Sequence, residues 1–137
     1  MKPKHKKDTR IMAQNWLDHA KSDLKLAKLG LEYEVFPSQI CFHAQQAAEK
    51  ALKAILLYNH IEFPLIHDLE QLLNILEKEK IFIPDDILEV GILTPYAVET
   101  RYPGNWDEIA ENEITNALTL AEKTIHWAEQ NLRTQNN

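Results

Sequence analysis

Apolar residues recur at alternating intervals of three and four positions in the first part of the chain. They form one stripe along a helix of about 3.6 residues per turn, and they are Leu17, Ala20, Leu24, Ala27 and Leu31. The positions between them include a polar set, namely Asp18, Lys21, Ser22, Lys25 and Lys28. This pattern predicts a first amphipathic helix with one buried and one solvated face.

A second helix is predicted after a turn at Pro37. Ser38 is the expected N-cap, because its hydroxyl can accept a hydrogen bond from a free backbone amide of the first turn. The helix is expected to end near Asn59. It is rich in small residues that let neighbouring helices approach closely, namely Ala44, Ala47, Ala48, Ala51 and Ala54. We therefore expect this helix to be the central and most buried one.

Two further helices are predicted before residue 100. The third begins near Asp68, which forms a D-x-x-Q variant of the capping box with Gln71. The fourth begins at Pro84, where a missing backbone amide costs little. Gly91 and Pro95 interrupt it, because Pro95 has no amide to donate back to Gly91. We expect a kink or a break near Pro95.

The last helix has the clearest stripe of the chain. It follows a turn at Pro103 and Gly104. Its apolar positions are Ile114, Leu118, Ala121, Ile125, Ala128 and Leu132. No segment shows the sustained two-residue alternation of a half-buried strand. The sequence therefore predicts an all-α fold, an up-and-down antiparallel bundle of four to five helices whose fourth helix is kinked near Pro95.

Length and charge favour one domain with short ends. The 137 residues suit a single core, which we assign to residues 12–133, with a basic flexible tail at 1–11 and a flexible end at 134–137. The net charge of −6 divides into +4 for residues 1–10 and −10 for the remainder. An acidic body argues against non-specific binding to duplex nucleic acid, which needs a large basic face.

Hydropathy and cysteine usage indicate a cytoplasmic protein. No apolar run approaches the roughly 18 residues that span a bilayer, and the first residues lead into no apolar stretch typical of a secretory signal. We therefore expect no association with a membrane. The lone Cys41 lies within an apolar helical pattern and can form no internal disulfide, so we interpret it as a small core residue.

Three stretches, in this order and spacing, resemble the HEPN family of small helical proteins. They are WLDHAKSDLKLAKL from Trp16, CFHAQQAAEKALKAIL from Cys41, and ETRYPG from Glu99. The middle stretch is the specific one, and His67-Asp68-Leu69 follows it. The resemblance extends over nearly the whole chain from Trp16 onward.

The resemblance implies a helical bundle that often dimerises. It also implies a nucleotide- or RNA-handling role beside a minimal nucleotidyltransferase, sometimes as a toxin–antitoxin pair. Many HEPN ribonucleases use an Arg followed by a His five to seven positions later. Here those positions after Arg101 hold Trp106, Asp107 and Glu108, and those after Arg10 hold Asn15, Trp16 and Leu17. The missing pair argues against ribonuclease activity by that mechanism.

The second helix has one polar flank among its apolar positions, and this flank permits two interpretations. Its members are Gln45, Gln46, Glu49, Lys50 and Lys53. Glu49 and Lys53 stand one turn apart in the order that favours a surface ion pair of about 0.3–0.5 kcal/mol. Alternatively, the flank offers amide and ammonium donors to the phosphates or to a base edge of a nucleotide or an RNA segment.

Arg101 is the second candidate for a binding residue. Its guanidinium could bond the last free carbonyls of the fourth helix. Alternatively, it binds two phosphate oxygens, with Tyr96 and Tyr102 available to stack on a base. The sequence thus groups Arg101, Tyr102 and Tyr96 with the polar flank of the second helix as one binding site.

Other polar residues favour structural roles. Asp23 lies beside the stripe of the first helix, so we expect it to be partly buried and paired with Lys50, Lys53 or Arg101. Neither a metal site nor a cofactor is expected, because histidines and carboxylates are scattered and the glycines form no phosphate loop. Exposed Trp106 and Trp127 would seal an interface, which suggests a homodimer.

Three function classes follow from the sequence. The first is a HEPN accessory protein that binds a nucleotide or RNA between the second helix and Arg101 and acts with a nucleotidyltransferase partner. The second is a ribonuclease toxin that uses Arg101 with a polar partner other than the expected His. The third is a structural subunit whose apolar surface holds a partner protein.

Overall fold

The second helix is the centre of the bundle. In the computed structural model, which describes residues 6–97 and 108–134, it contacts every other helix. The elements are α1 (Lys6–Glu32), α2 (Pro37–Tyr58), α3 (Leu69–Lys78), a 3₁₀ helix (Asp85–Ala97) and α4 (Glu111–Thr134). No strand occurs in the described part of the chain. The predicted all-helical bundle is confirmed.

Small side chains explain the central position of α2. Its five alanines are completely buried, as are Leu52, Ile55 and Leu56. Alanine at these positions lets the backbones of two helices come close without leaving voids between them. The prediction that α2 is the most buried helix is therefore confirmed.

Helix α1 is longer than the sequence suggested. It begins at Lys6, inside the segment that we had assigned to a flexible tail. Its stripe is buried at Leu17, Ala20, Leu24 and Ala27, whereas Leu31 is 45% exposed. The prediction for Leu31 was wrong because a stripe produces burial only where another element lies opposite, and Leu31 is in the last turn of α1.

The start of α2 also differs from the prediction. Phe36 is the N-cap residue and makes no side-chain capping bond, and Pro37 occupies the first helical position. Ser38 is therefore one residue inside the helix and is buried, so its assignment as N-cap was wrong. Proline at the first position has no amide that would need a cap and already has a helical φ.

The N-cap of α3 is as predicted, but its capping bond goes to Glu70 and not to Gln71, the partner in the predicted capping box. Asp68 is the N-cap, and one of its carboxylate oxygens accepts a hydrogen bond from the backbone amide of Glu70 at 3.0 Å. The backbone amide of Leu69 donates to Thr94 Oγ1 at 3.1 Å, which ties this end of α3 to the 3₁₀ helix. Two of the free amides at the start of α3 thus have side-chain partners.

The fourth element is a 3₁₀ helix, where we expected a kinked α-helix. It includes Pro95, and its buried residues are Ile87, Val90, Leu93 and Ala97. A 3₁₀ helix rises about 2.0 Å per residue against about 1.5 Å for an α-helix, so the same residues span a greater length. A Cβ added at Gly91 would lie 2.5 Å from Glu70 Oε2, so the side chain of Glu70 on α3 would have to move.

The stripe of α4 is confirmed over its whole length, since all six predicted positions are buried. Trp127 is also buried, with 8% of its surface exposed, so its assignment as an exposed interface residue was wrong. Arg101, Tyr102 and Trp106 lie outside the described residues, as does the predicted turn at 103–104. Within the described residues, no helix is long and apolar enough to cross a membrane.

A matched pair of leucines tests this core. We expect Leu52→Ala, at a completely buried position, to lower the free energy of unfolding by about 2–5 kcal/mol because it leaves a cavity. Leu65→Ala removes the same atoms from a side chain that is 97% exposed and should change stability by less than about 0.5 kcal/mol. Urea denaturation followed by circular dichroism measures both, and similar losses would contradict this packing.

Candidate functional site

Two buried carboxylates form the polar centres of the bundle. Glu49 lies on α2 and Asp23 on α1, and each is bonded to one lysine and one histidine. We call the first group the Glu49 cluster, with members Gln45, Gln46, Glu49, Lys53 and His67. We call the second the Asp23 cluster, with members Asp23, His43 and Lys50.

The Glu49 carboxylate is saturated with partners. Lys53 Nζ donates to its Oε2 at 2.8 Å, and His67 Nδ1 lies 3.0 Å from Oε1 and 3.1 Å from Oε2. The amide Nε2 of Gln45 donates to Oε1 at 3.1 Å and also to the backbone carbonyl of His67 at 3.2 Å. Gln46 Nε2 donates to Gln45 Oε1 at 2.8 Å. The cluster thus joins α2 to the segment that precedes α3.

Two aromatic rings cover the Lys53 ammonium. Its Nζ lies 5.7 Å from the ring centroid of Trp16 on α1 and 5.8 Å from that of Phe63. A cation over an aromatic face is attracted by the ring quadrupole, and this attraction grows when water is excluded. Lys53 is therefore held between an ion pair and two rings, with 5% of the residue exposed.

The pKa of Glu49 shows that its hydrogen-bond partners outweigh burial. Burial alone would raise the pKa of this carboxyl, but hydrogen bonds from Lys53, His67 and Gln45, with the charge of Lys53, lower it below its ordinary value of 4.5. Glu49 is therefore ionised at neutral pH. The ion pair predicted from the one-turn spacing is present, but its predicted surface location was wrong because Trp16 and Phe63 cover it.

The Asp23 cluster connects α1 and α2. Lys50 Nζ donates to Asp23 Oδ2 at 2.7 Å, and His43 Nδ1 lies 3.1 Å from Oδ1. Asp23 is 8% exposed, so the prediction of a buried carboxylate with Lys50 among its possible partners is confirmed. His43 is a second partner, which the sequence did not reveal. The two lysines thus pair with different carboxylates: Lys50 with Asp23 and Lys53 with Glu49.

A small pocket opens beside the Asp23 cluster, between α1 and α2. Its volume is about 270 Å³, and Asn15, Trp16, His19 and Lys50 line it. The indole of Trp16 thus contacts the Lys53 ammonium and also borders the pocket. The ammonium of Lys50 makes one described hydrogen bond although it has three N–H donors. The pocket therefore combines an aromatic ring with donors from an amide, an imidazole and an ammonium.

Tyr96 belongs to a different part of the bundle. Its hydroxyl donates to Glu113 Oε2 at 3.2 Å, and the backbone amide of Ala110 donates to Glu113 Oε1 at 2.9 Å. The same Glu113 carboxylate acts on the Cys41 thiol of α2. Burial, and then the charge of Glu113, raise the pKa of this thiol to about 11, so it is neutral at physiological pH. Tyr96 connects the 3₁₀ helix to the start of α4, and none of its described contacts joins it to the lysines of α2.

The predicted site is therefore only partly assembled in the described residues. Gln45, Glu49 and Lys53 come together, whereas Lys50, the residue after Glu49, pairs with Asp23 and lines the pocket. Arg101 and Tyr102 lie outside the described residues. Sequence reasoning missed His67, His43, Trp16 and His19 as neighbours of this flank. The spacing of Asn15, Trp16 and His19 on one helix was a usable signal, whereas contacts of His67 with α2 are invisible in a helical pattern.

Metal binding has no support in the described residues. They contain no group of three or more metal-ligating side chains that could hold an ion. Each carboxylate in the two clusters has a lysine as its partner.

A comparison with models of known protein families shows which family this bundle is related to. The model of the HEPN domain matches residues 13–131. The chain belongs to the HEPN family. The match includes α1 from Ala13 and nearly all of α4, so both clusters and the small pocket fall inside the HEPN domain.

Two crystal structures resemble this HEPN protein over most of its length. TT1696 from Thermus thermophilus has a TM-score of 0.76 and 32% sequence identity, covering 87% of this chain and 97% of TT1696. ST0689, described as an archaeal HEPN homologue, has a TM-score of 0.72 and 24% identity, covering 88% of this chain and 97% of ST0689. The second similarity supports the fold alone. The comparison with curated proteins gives no match.

The coupling inside the Glu49 cluster can be measured by a double-mutant cycle. Lys53→Met leaves a buried carboxylate without its ammonium, and Glu49→Gln leaves a buried ammonium without its carboxylate. We expect each single change to lower the free energy of unfolding by about 3–5 kcal/mol. The double variant should lose clearly less than the sum, because neither charge then remains. Additive losses in urea denaturation would contradict a coupled pair.

The lowered pKa of Glu49 predicts an acid-dependent loss of stability. A carboxyl whose folded-state pKa lies below its unfolded value stabilises the fold above the unfolded pKa. We expect the wild-type free energy of unfolding to fall as the pH drops below 4.5, the ordinary pKa of this residue. The variant with both Glu49→Gln and Lys53→Met should show a shallower fall. Equal slopes from urea denaturation at several pH values would contradict this assignment.

Proposed function

We propose that this HEPN protein is an accessory protein that binds a nucleotide or an RNA segment in the pocket between α1 and α2. The observation that supports the proposal is the lining of that pocket by Asn15, Trp16, His19 and Lys50. A base can stack on an indole at about 1–3 kcal/mol per base. Ammonium and imidazole groups are donors for phosphate oxygens, and an amide is a donor and acceptor for a base edge.

The size of the pocket favours a small ligand unit. Small-molecule sites usually measure about 300–1,000 Å³, and this pocket measures about 270 Å³. It therefore suits one base with its adjacent phosphate, from a free nucleotide or from one position of a single strand. The net charge of −6 disfavours a ligand held mainly by many phosphate contacts.

The two clusters have a positioning role in this proposal. Gln45, Glu49 and Lys53 are at most 5% exposed, so they hold Trp16 and the start of α3 while their neighbours contact the ligand. Lys50 lines the pocket and has donors beyond the one used by Asp23, which are available to a ligand. Arg101 and Tyr102, from the motif that resembles the family, are proposed as further phosphate and base contacts.

The proposed biological setting is a complex with a minimal nucleotidyltransferase, as in a toxin–antitoxin module. The resemblance to HEPN proteins encoded beside such enzymes supports this setting. Co-expression with the product of an adjacent nucleotidyltransferase gene should give a complex that survives size-exclusion chromatography. Two separate peaks, each eluting as the protein does alone, would contradict the partnership.

Titration calorimetry tests the binding proposal. Purified wild-type protein is titrated with AMP, ATP and a short single-stranded RNA, which separates a mononucleotide ligand from an RNA segment. We expect His19→Ala to weaken binding about tenfold, because a hydrogen bond to a charged group is worth about 1.5–3 kcal/mol and tenfold corresponds to about 1.4 kcal/mol. Arg101→Ala should weaken it similarly if Arg101 binds phosphate.

His126→Ala is the matched control for this titration. His126 is an exposed histidine on α4, and its side chain is 66% exposed. Its removal should leave the affinity unchanged. Absence of binding to all three ligands by the wild type, or equal weakening by His19→Ala and His126→Ala, would contradict a ligand site between α1 and α2.

A structural subunit is the second candidate function, and one observation favours it. Several large apolar side chains near the end of α1 and in the following loop are exposed: Leu26, Leu29, Leu31, Tyr33, Val35 and Phe36. Contiguous apolar surface of this kind commonly marks a site of protein association. This role is compatible with ligand binding, because Asn15 and His19 lie about three and two helical turns before Leu26, the first of these exposed residues.

A further inference from the structure

Ser38 is buried at the start of α2 without a hydrogen-bond partner among the described residues. It is 8% exposed, and no described residue bonds to its hydroxyl. Its backbone amide also has no described acceptor, whereas the amides of Gln39 and Ile40 donate to the carbonyl of Phe36 at 2.9 and 3.1 Å. A buried donor without a partner is unfavourable, so folded proteins rarely keep one without a reason. Ser38 has two such donors.

The N-terminus of α2 has no negative group to complement it. The N-cap residue Phe36 makes no side-chain capping bond, and the first turn contains no acidic residue. At the start of α3, by contrast, the Asp68 carboxylate accepts from the amide of Glu70. The first turn of a helix carries about half a positive charge and attracts anions. The two donors of Ser38 therefore lie where an anion is stabilised.

Ser38 lines an open apolar groove between the end of α1 and the start of α2. The groove has a volume of about 670 Å³, within the range of about 300–1,000 Å³ that small-molecule sites have. A Cβ added at Gly30 would lie 3.1 Å from Ile40 Cγ1, so α1 and α2 already touch beneath it. No carboxylate or ammonium group is among its described lining side chains. Its exposed apolar lining residues are Leu26, Leu29, Tyr33, Val35 and Phe36.

We propose that this groove binds a small carboxylic acid with an apolar chain, whose carboxylate accepts hydrogen bonds from the hydroxyl and the backbone amide of Ser38. Such an acid is ionised at neutral pH, so the dipole of α2 attracts it. The chain of the ligand covers apolar side chains of the groove, among them Leu26, Leu29 and Tyr33. The site is separate from the proposed nucleotide pocket, because the two share no lining residue.

A carboxylate fits this groove better than a phosphate group or a purely apolar partner. Its two oxygens match the two donors of Ser38, whereas a phosphate group has more acceptors than these donors can satisfy. The net charge of −6 also opposes a polyanion more than a single carboxylate. An apolar protein surface would cover the exposed leucines but would leave both donors of Ser38 buried and unpaired. The charge and the apolar chain are therefore both required.

Three probes with the same alkyl chain test the proposal, namely octanoate, 1-octanol and octylammonium. Titration calorimetry at neutral pH should show octanoate binding to the wild-type protein about tenfold more tightly than 1-octanol, because hydrogen bonds to a charged group are the stronger ones. Octylammonium should bind more weakly than 1-octanol, because the start of a helix repels a cation. Amide-proton NMR should show a downfield shift of the Ser38 amide with octanoate that 1-octanol does not produce.

A matched pair of glutamines places the carboxylate of the ligand. Gln39 lines the groove at the third position of α2, and Gln71 is an exposed residue at the third position of α3, outside the groove. Gln39→Glu puts a competing negative charge beside Ser38 and should weaken octanoate binding about tenfold, with 1-octanol unaffected. Gln71→Glu should change neither affinity. Both changes add an acid to a first turn, which favours the helix, so both variants should fold.

Ser38→Ala separates a ligand contact from a structural role. It should weaken octanoate binding about tenfold, yet its melting temperature by circular dichroism should be no lower than that of the wild type, because the hydroxyl has no described partner to lose. A lower melting temperature would overturn the assignment of Ser38 as a binding residue. The proposal would also be overturned by wild-type protein that fails to bind octanoate at about 10 mM, by equal affinities for octanoate and octylammonium, or by equal effects of Gln39→Glu and Gln71→Glu.

Discussion

The bundle depends on an ionised carboxylate that is buried on its central helix. Removing Glu49 from water is unfavourable unless its lone pairs are satisfied, and the structure supplies an ammonium, an imidazole and an amide for this purpose. These donors come from α2 and from the segment before α3. The carboxylate therefore orients the loop at 59–68 relative to α2, and through Lys53 it also fixes Trp16 on α1. A hydrophobic contact is non-directional, so it would not fix the orientation of this loop and of Trp16 as closely.

The alanines of α2 and the two polar clusters work together in shaping the small pocket between α1 and α2. Close approach of α1 and α2, which small side chains permit, brings Asp23 within reach of Lys50 and His43. The same approach places Trp16 so that it covers Lys53 and borders the pocket with Lys50. The pocket is thus a consequence of how the helices pack, and its Lys50 is held by the hydrogen bond to Asp23.

Sequence patterns predicted the features that depend on one helix, such as the stripe of α4 and the Asp68 cap. Ser38 was misassigned because Pro37, whose ring already fixes a helical φ, begins the helix one residue earlier. The 3₁₀ helix was missed because its hydrogen bonding depends on packing against α2, α3 and α4, which the spacing of apolar residues does not report. The same limit applies to the site. Glu49 and Lys53 lie one turn apart and were predicted as a pair, whereas His67 reaches Glu49 across eighteen positions of the chain.

Helix α1 links the two candidate functions because the side that faces away from the core changes in character along its length. Its core stripe is continuous from Ala13 to Ala27. The opposite side changes from polar, at Asn15 and His19, to apolar at Leu26 and Leu29. A ligand site requires donors next to a recess, and an association surface requires exposed apolar side chains. These requirements are met at different positions along α1, so a bound ligand and a partner protein need not compete for the same surface.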